Sequence, residues 1–457
     1  MIPATIFREY DIRGLHATEL SDDVAEGVGA AFATAIRERT GAAPRVALGR
    51  DVRPSSERLA AAAERGIRSA GVAVERVGVV PTPALYYAVA LRGLDGGMQV
   101  TGSHNPSEFN GFKMTRAKLP LFGAEIQAMR RAIDSGALAR GTGGWSDRPI
   151  LDEYRAMLIE RGRSPRGLKV VMDCGNGCAG TVVPQVFERM GHSVIPLFAE
   201  LDGRFPNHLP DPTVPRLLVD LQRKVAESGA DLGIGFDGDA DRIGAVTAGG
   251  RIVWGDQLLA LLARDVLQRV PGGEVIFDVK CSQGLGEDIA AHGGKPLMWR
   301  TGHSLIKQKL QESGAPIAGE MSGHMFFSEG FFGFDDALFA ASRLLRFVAT
   351  SGKTLDQLVD SIPRYYATPE TRLDCPEERK FEVPEAIKRE FGPTWRVVDI
   401  DGARVEFGDG WGLVRASNTQ PAVVVRFEAR TPERLAEIES MMMASLQRLG
   451  VGAAVAH

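Results

Sequence analysis

Three related α/β units followed by a smaller α+β domain is the fold class this sequence predicts, with mixed or parallel sheets around one central cleft. Strand-like and helix-like runs alternate from Arg45 to Gly319, in three rounds that each carry a polar loop after a strand. After Pro363 the order changes to clustered strands flanked by helices. Alternation with short connections argues for right-handed βαβ units, and clustered antiparallel strands beside helices argue for α+β.

In the first round Arg45 to Leu48 reads as a strand and Ser55 to Ser69 as a helix. Val72 to Val77 is strand-like, Pro83 to Ala90 helical, and Met98 to Thr101 a strand opening into a polar loop. The second round begins with the apolar strand Leu168 to Asp173, a Gly-rich turn and a helix near Val182 to Met190. Pro215 to Ser228 is helical, and Leu232 to Phe236 is a buried strand ending in aspartates. The third runs from the helix Gln257 to Leu267 through the strand Glu274 to Val279 and helices near Leu285 and Leu305. Pro316 to Gly319 then leads into another polar loop. In the tail, the strand Thr371 to Asp374 and helix Pro384 to Phe391 precede strands near Arg396, Val405, Leu413 and Val423 and a last helix, Pro432 to Leu449. The expected units are 1–149, 150–251, 252–362 and 363–457. Ligands of open α/β sheets sit at the carboxyl ends of strands, so the loops after Thr101, Phe236 and Gly319 are expected to share one cleft.

Bulk properties exclude several classes. A net charge of −4 lacks the basic face that a nucleic-acid footprint needs, though it leaves room for a locally basic anion pocket. Cys174, Cys178, Cys281 and Cys375 are too few and scattered for a disulfide scaffold, and no second close pair completes a zinc site. The charged start has no signal-peptide core, and no stretch approaches the roughly 20 apolar residues of a membrane span. The expectation is a soluble, cytoplasmic protein.

The chemistry gathers in four loops. Asp237, Asp239 and Asp241 in D-G-D-A-D-R can converge on one hard cation, and three carboxylates with an open oxygen position suit Mg²⁺ and phosphate. A solvated acidic turn is the alternative, but after the buried run Leu232 to Phe236 three unpaired like charges would repel without a cation. An EF-hand fails, because Arg242 and Ala248 stand where Gly and Glu are needed. In T-G-S-H-N-P, Ser103 is a nucleophile awaiting a base or metal, or else a capping Ser in a turn. No G-x-S-x-G elbow is present. His104, adjacent in the chain, is expected to project away from Ser103. In G-E-M-S-G-H, Glu320 and Ser322 on an extended loop face one side and could grip neighbouring sugar hydroxyls, with a turn and a capping Ser as the alternative. In R-A-S-N-T-Q-P, Arg415 with two hydroxyls, an amide and turn N–H groups makes a phosphate cradle, with a solvated turn as the alternative. Two lookalikes are set aside: Gly175 to Gly180 matches a dinucleotide fingerprint but reads better as a tight turn, and Gly352-Lys353-Thr354 lacks the first Walker glycine.

In this order and spacing, the four loops resemble the α-D-phosphohexomutase family, on its bacterial branch acting on mannose and glucose phosphates. F-R-E-Y-D-I-R-G (Phe7 to Gly14), N-G-F-K (Asn110 to Lys113), D-G-R-F-P-N-H (Asp202 to His208) and F-G-F-D-D (Phe332 to Asp336) extend the match over nearly the whole chain. The resemblance implies four domains around one cleft, with Ser103 carrying a phosphoryl group. It implies Mg²⁺ on Asp237, Asp239, Asp241 and a phosphoserine oxygen, with glucose or mannose 1,6-bisphosphate as activator. Glu320 and Ser322 would hold two sugar hydroxyls, and Arg415, Ser417, Asn418 and Thr419 the distant phosphate. Tyr10, Arg13, Lys113, Arg242, Lys280, His303 and His324 would complete the cleft, with His324 and Lys113 the acid/base candidates and His303 next. A phosphosugar is the expected partner, and the chain a monomer or weak dimer. Gly102, Ala240 and Gln420 depart from the family's commonest residues, yet none removes a ligand or nucleophile. The rivals are a glucosamine-phosphate mutase, a metal-dependent phosphatase using the same serine, and a non-catalytic sensor.

Overall fold

The computed structural model describes residues 2–40, 43–117, 119–417 and 421–451. Among them the strands form four sheets. The first runs in the order Ile12–Leu15, Phe109–Arg116, Gly96–Val100, Arg45–Arg50, Ala73–Val79 and Trp145–Asp147, with Leu119–Pro120 added beside Phe109–Arg116. The second runs Ile252–Val253, Ile243–Thr247, Leu232–Phe236, Lys169–Asp173 and Ser193–Leu197. The third runs Lys295–Trp299, Glu274–Asp278, Ile317–Gly319 and Met325–Phe327.

One plan recurs in all three. A parallel core is built from βαβ crossovers, and its last parallel strand turns back into an antiparallel neighbour. Gly96–Val100 returns as Phe109–Arg116, Leu232–Phe236 as Ile243–Thr247, and Ile317–Gly319 as Met325–Phe327. Alternation of strands and helices does not predict these return strands. They place each polar loop between a parallel strand and its antiparallel partner, which pins both ends of the loop to one sheet. The fourth sheet is wholly antiparallel, with Ala422–Ala429 paired to Gly410–Ala416 on one side and to Thr371–Asp374 and Tyr366–Ala367 on the other. Helices Glu382–Phe391 and Pro432–Arg448 cover it.

The helices follow ordinary sequence logic. Asp22–Arg37 starts at Ser21, whose hydroxyl accepts from the Val24 N–H, and Val24, Val28, Phe32 and Ile36 form its buried stripe. Ala337–Ser351 starts at Asp336, and Leu355–Asp360 at a Thr354/Gln357 capping box. Gly352-Lys353-Thr354 is therefore a helix-to-helix turn. Buried apolar side chains run without a break through the first three units, among them Leu85, Leu158, Phe187, Leu261 and Leu344. The fourth unit has its own core around Val405, Phe427 and Met442. No described helix is long and apolar enough to cross a membrane.

Candidate active site

The glycine turn and the aspartate loop of the second unit meet each other backbone to backbone, and the aspartate loop also meets Thr82 of the first unit. Gly238 O accepts from Cys178 N at 2.9 Å, and Asp239 O accepts from Thr82 N at 2.9 Å. A Cβ on Gly177 would lie 2.6 Å from Gly238 O, so the glycine turn at 175–180 packs on the aspartate loop and leaves no room there for a pyrophosphate. The loop itself is cross-braced: Asp237 Oδ1 accepts from the N–H groups of Asp241 and Arg242 at 3.0 and 3.1 Å.

Asp237, Asp239 and Asp241 are fully buried, and one carboxylate oxygen from each lies within 4.8 Å of the others. Lys113 reaches in from Phe109–Arg116, donating to Asp239 Oδ2 at 2.8 Å and to Asp241 Oδ2. The aspartates expected to be unpaired thus share an ammonium. It does not satisfy them, since Asp239 Oδ1 and Asp241 Oδ1 are buried without a hydrogen-bond partner. Burial and the neighbouring carboxylates push Asp237 well above the usual carboxylate range, whereas at Asp239 burial is outweighed by the Lys113 charge together with hydrogen bonds from Lys113 and Thr82, which lower it. The same carboxylates overcome burial at Lys113 and hold it firmly as an ammonium. Three buried carboxylates gathered within 4.8 Å, two of them with an oxygen left unpartnered, fit a hard divalent cation.

Ser103 follows Gly96–Val100 and adopts φ +50°, a left-handed conformation that an L-serine rarely takes. The twist aims Oγ at Asp237 Oδ2, 2.8 Å away. It also corrects the expectation for His104: the same turn folds its ring back, and Nδ1 lies 3.2 Å from Ser103 Oγ. Burial and the charges of Arg242, Arg13 and Lys113 lower the His104 pKa well below its usual value, keeping the ring neutral.

From the third unit, Glu320 to His324 form a tight turn, with Gly323 N donating to Glu320 O and Glu320 N to His324 O, in place of the expected extended loop. Glu320 is buried and accepts from Gly302 N at 2.6 Å, and Ser322 is half-buried beside it in the cleft. Arg242 Nε donates to His324 Nε2 at 3.0 Å, while His324 Nδ1 faces Asp335 at 3.1 Å and Asp241 at 3.6 Å. Lys307 holds Asp335 at 2.7 Å, and the His303 ring stacks on His324 and meets Tyr10 edge-on. Burial and the Lys307 charge lower the His303 pKa well below normal.

The far wall is cationic. Lys280 pairs with Glu370 at 3.1 Å, and Arg415 with Asp401 at 3.2 Å. Asn418 and Thr419 lie outside the described residues. A cleft of about 1400 Å³ is lined by Tyr10, Arg13, Ser103, His104, Lys113, Arg242, Lys280, His303, Glu320, Ser322, His324, Arg415 and Ser417, so residues from all four sheets' units face one space.

Four domain models of one family match the chain in order. Phosphoglucomutase/phosphomannomutase α/β/α domain I covers residues 4–139, domain II 152–250, domain III 254–366 and the C-terminal domain 370–445. The chain belongs to the phosphoglucomutase/phosphomannomutase family. It is 45% identical over 449 residues to a phosphomannomutase/phosphoglucomutase of Pseudomonas aeruginosa, covering 98% of this chain and 96% of that one. It is 42% identical to a phosphoglucomutase of Neisseria gonorrhoeae, covering 98% and 97%. A crystal structure of a phosphoglucomutase/phosphomannomutase family protein from Burkholderia thailandensis superposes with a TM-score of 0.94 at 41% identity, covering 99% of each chain.

Some side chains that build this site lie outside the four loops. Thr82 donates to Asp239 Oδ2 at 2.5 Å, and Asp335 braces His324. Asp335 stands inside the F-G-F-D-D run, and Asp51 and Arg53 in D-V-R-P at the end of a strand. Position at strand ends was the available clue for that pair.

Proposed function

We propose that this enzyme reversibly interconverts hexose 1-phosphate and hexose 6-phosphate, with mannose, glucose or both as the sugar, through a phosphorylated Ser103 and a 1,6-bisphosphosugar. The observation that carries the reading is Ser103 Oγ 2.8 Å from Asp237 inside a buried aspartate triad, at the floor of a cleft rich in sugar- and phosphate-binding groups. Asp237, Asp239, Asp241 and the Ser103 oxygen would hold Mg²⁺, which when bound supplies charge neutralisation for the phosphoryl oxygens. Glucose or mannose 1,6-bisphosphate would load the serine.

In the first half-reaction the free sugar hydroxyl attacks the phosphoryl group, the P–O bond to Ser103 breaks, and the bisphosphate forms. After the sugar turns end for end, Ser103 Oγ accepts the other phosphoryl group. Arg13 and Arg242 meet the phosphoryl oxygens. Lys113 is bound to two carboxylates and serves as fixed charge, not as a base. His324 is the stronger candidate for taking the hydroxyl proton, because its Nε2 lone pair faces Arg242 and is freed when that guanidinium turns to phosphate. Neutral His104 holds Ser103 Oγ. Glu320 and Ser322 grip the central sugar hydroxyls in either orientation. Lys280, Arg415 and Ser417, with Asn418 and Thr419, take the phosphate that is not reacting, and Tyr10 and His303 close the wall between. All these groups come from one chain, which supports activity as a monomer. A division near residues 149, 251 and 362 and a cytoplasmic location belong to the same reading.

The test is to incubate the protein with Mg²⁺, a trace of glucose 1,6-bisphosphate and mannose or glucose 1-phosphate, following products by phosphorus NMR beside Ser103→Ala. Formation of the 6-phosphate, lost in the variant and on chelation, is expected. Inorganic phosphate without 6-phosphate would make the protein a phosphatase instead, and no turnover of either sugar would overturn the assignment.

A further inference from the structure

Arg53 has no place in the cleft, yet it is among the most completely buried large side chains, with its side chain wholly excluded from solvent. Burying a guanidinium costs several kcal/mol unless its donors are matched. Here the matching is directed at one loop. Nη2 donates to the carbonyls of Ser103 at 2.8 Å and Asn105 at 2.5 Å, and Nη1 to those of Pro106 at 2.6 Å and Phe109 at 3.1 Å. One planar fork therefore gathers four carbonyls of the segment that presents Ser103.

Asp51 fixes the fork from behind. Its Oδ2 accepts from Arg53 Nε and from Gly102 N, both at 3.1 Å, and its Oδ1 from Arg53 N at 2.9 Å and from the Ser56 hydroxyl. The second unit closes the other side. Phe205, in the D-G-R-F-P-N-H run, lays its ring 4.8 Å from the guanidinium carbon. Gly203 sits so close that a Cβ there would be 2.4 Å from Arg53 Cα. The loop under this grip holds Ser103 at φ +50°, and a Cβ on Gly238 of the aspartate loop would be 2.3 Å from Ser103 O. A conformation that an L-residue disfavours persists when its surroundings over-determine it.

We propose that Arg53, set by Asp51 and capped across the domain boundary by Phe205, is a positioning residue that holds the Ser103 backbone so that Oγ stays registered on the aspartate triad. The inference rests on Ser103 being the phosphoryl carrier. Its function is to keep the phosphoryl group aligned with the sugar hydroxyl and away from water, so loosening the clamp shifts transfer toward hydrolysis.

The variants are Arg53→Lys, which keeps the charge but loses the fork, and Phe205→Leu, which removes the ring from the other unit. Misplacement of a reacting group by about 1 Å costs on the order of 100-fold. The expectation for Arg53→Lys is a kcat lower by about 100-fold with KM within about threefold. The ratio of inorganic phosphate to 6-phosphate should also rise when Ser103 is loaded from ³²P-labelled glucose 1,6-bisphosphate. Phe205→Leu should move both quantities the same way by roughly 5- to 30-fold, the span from an exposed to a desolvated cation–π contact. Added guanidinium should partly restore Arg53→Ala, an effect that a general loss of stability would not show. If wild-type Ser103 takes no label, the phosphoserine reading falls and the clamp with it. If wild type is labelled and Arg53→Lys transfers with unchanged kcat and product ratio, the clamp alone is overturned. Should Arg53→Lys not fold, an unchanged product ratio in Phe205→Leu overturns the clamp and a raised ratio supports it.

Discussion

Replacing Lys113 with methionine keeps the aliphatic stem and removes one buried ammonium from between Asp239 and Asp241. Both of its contacts are buried, at 2.8 Å to Asp239 and still closer to Asp241. Truncating one partner of a buried ion pair costs about 3 to 5 kcal/mol, because the other charges remain without compensation. Each kcal/mol moves the melting temperature of a unit of 150 to 250 residues by roughly 2 to 4 °C, so in EDTA the variant should melt roughly 6 to 20 °C below wild type. Excess Mg²⁺ stabilises any state that binds it, by about 2.7 kcal/mol at one hundred times Kd. In the variant the cation no longer shares Asp239 and Asp241 with an ammonium, so its stabilising effect should exceed that in wild type by several degrees, even as mutase activity falls. Scanning calorimetry with EDTA and with Mg²⁺ reads all four values. Equal melting in EDTA, or an equal Mg²⁺ shift in the two proteins, would refute the view that Lys113 and a metal compete to neutralise the same aspartates.

Other expectations test other parts of the fold. Burial raises Asp336 to about 7 against an ordinary 3.8, although Phe339 N–H and the Tyr154 hydroxyl pull it back. The folded state therefore holds a proton that the unfolded chain has lost between these values, and stability declines as pH rises through that window. Asp336→Asn should flatten the decline, read as the difference in melting temperature between pH 5 and pH 8, and an unchanged slope would refute the assignment. Gly177→Ala pushes a methyl group against Gly238 O at 2.6 Å, an overpacking that typically costs about 1 to 3 kcal/mol. Its expected signature is weaker Mg²⁺ binding in calorimetric titration with little change at the sugar. Arg404 donates to the carbonyls of Val279 and Cys281 at 2.7 and 2.8 Å and stacks on Trp411, tying the fourth unit to the third. Arg404→Met should raise KM by about tenfold or more through loss of charged hydrogen bonds, with faster amide exchange at residues 279–281.

The sequence by itself determined the fold class and where the four polar loops lie along the chain. Period and turn signals are local, so strands such as Leu232–Phe236 and helices such as Pro54–Ser69 were legible within a residue or two. Carboxylates at alternate positions in one loop likewise announce a cation site without help from the rest of the chain. Ala240 takes φ +58°, a left-handed conformation for which glycine is the residue that carries no penalty. What only the tertiary structure decided depends on groups far apart in the chain. The antiparallel return strands are decided by pairing, not by composition. Lys113 and Thr82 enter the aspartate triad because two units pack together, over 126 to 157 residues of separation, while Arg53 grips the Ser103 loop and Asp335 braces His324 through folding within a unit, over 50 or more and 11 residues. His104 was misjudged because a positive φ at Ser103 reverses the direction of the next side chain, and serine residues seldom adopt it. Such a conformation is imposed by long-range contacts, and one-dimensional patterns carry no record of them.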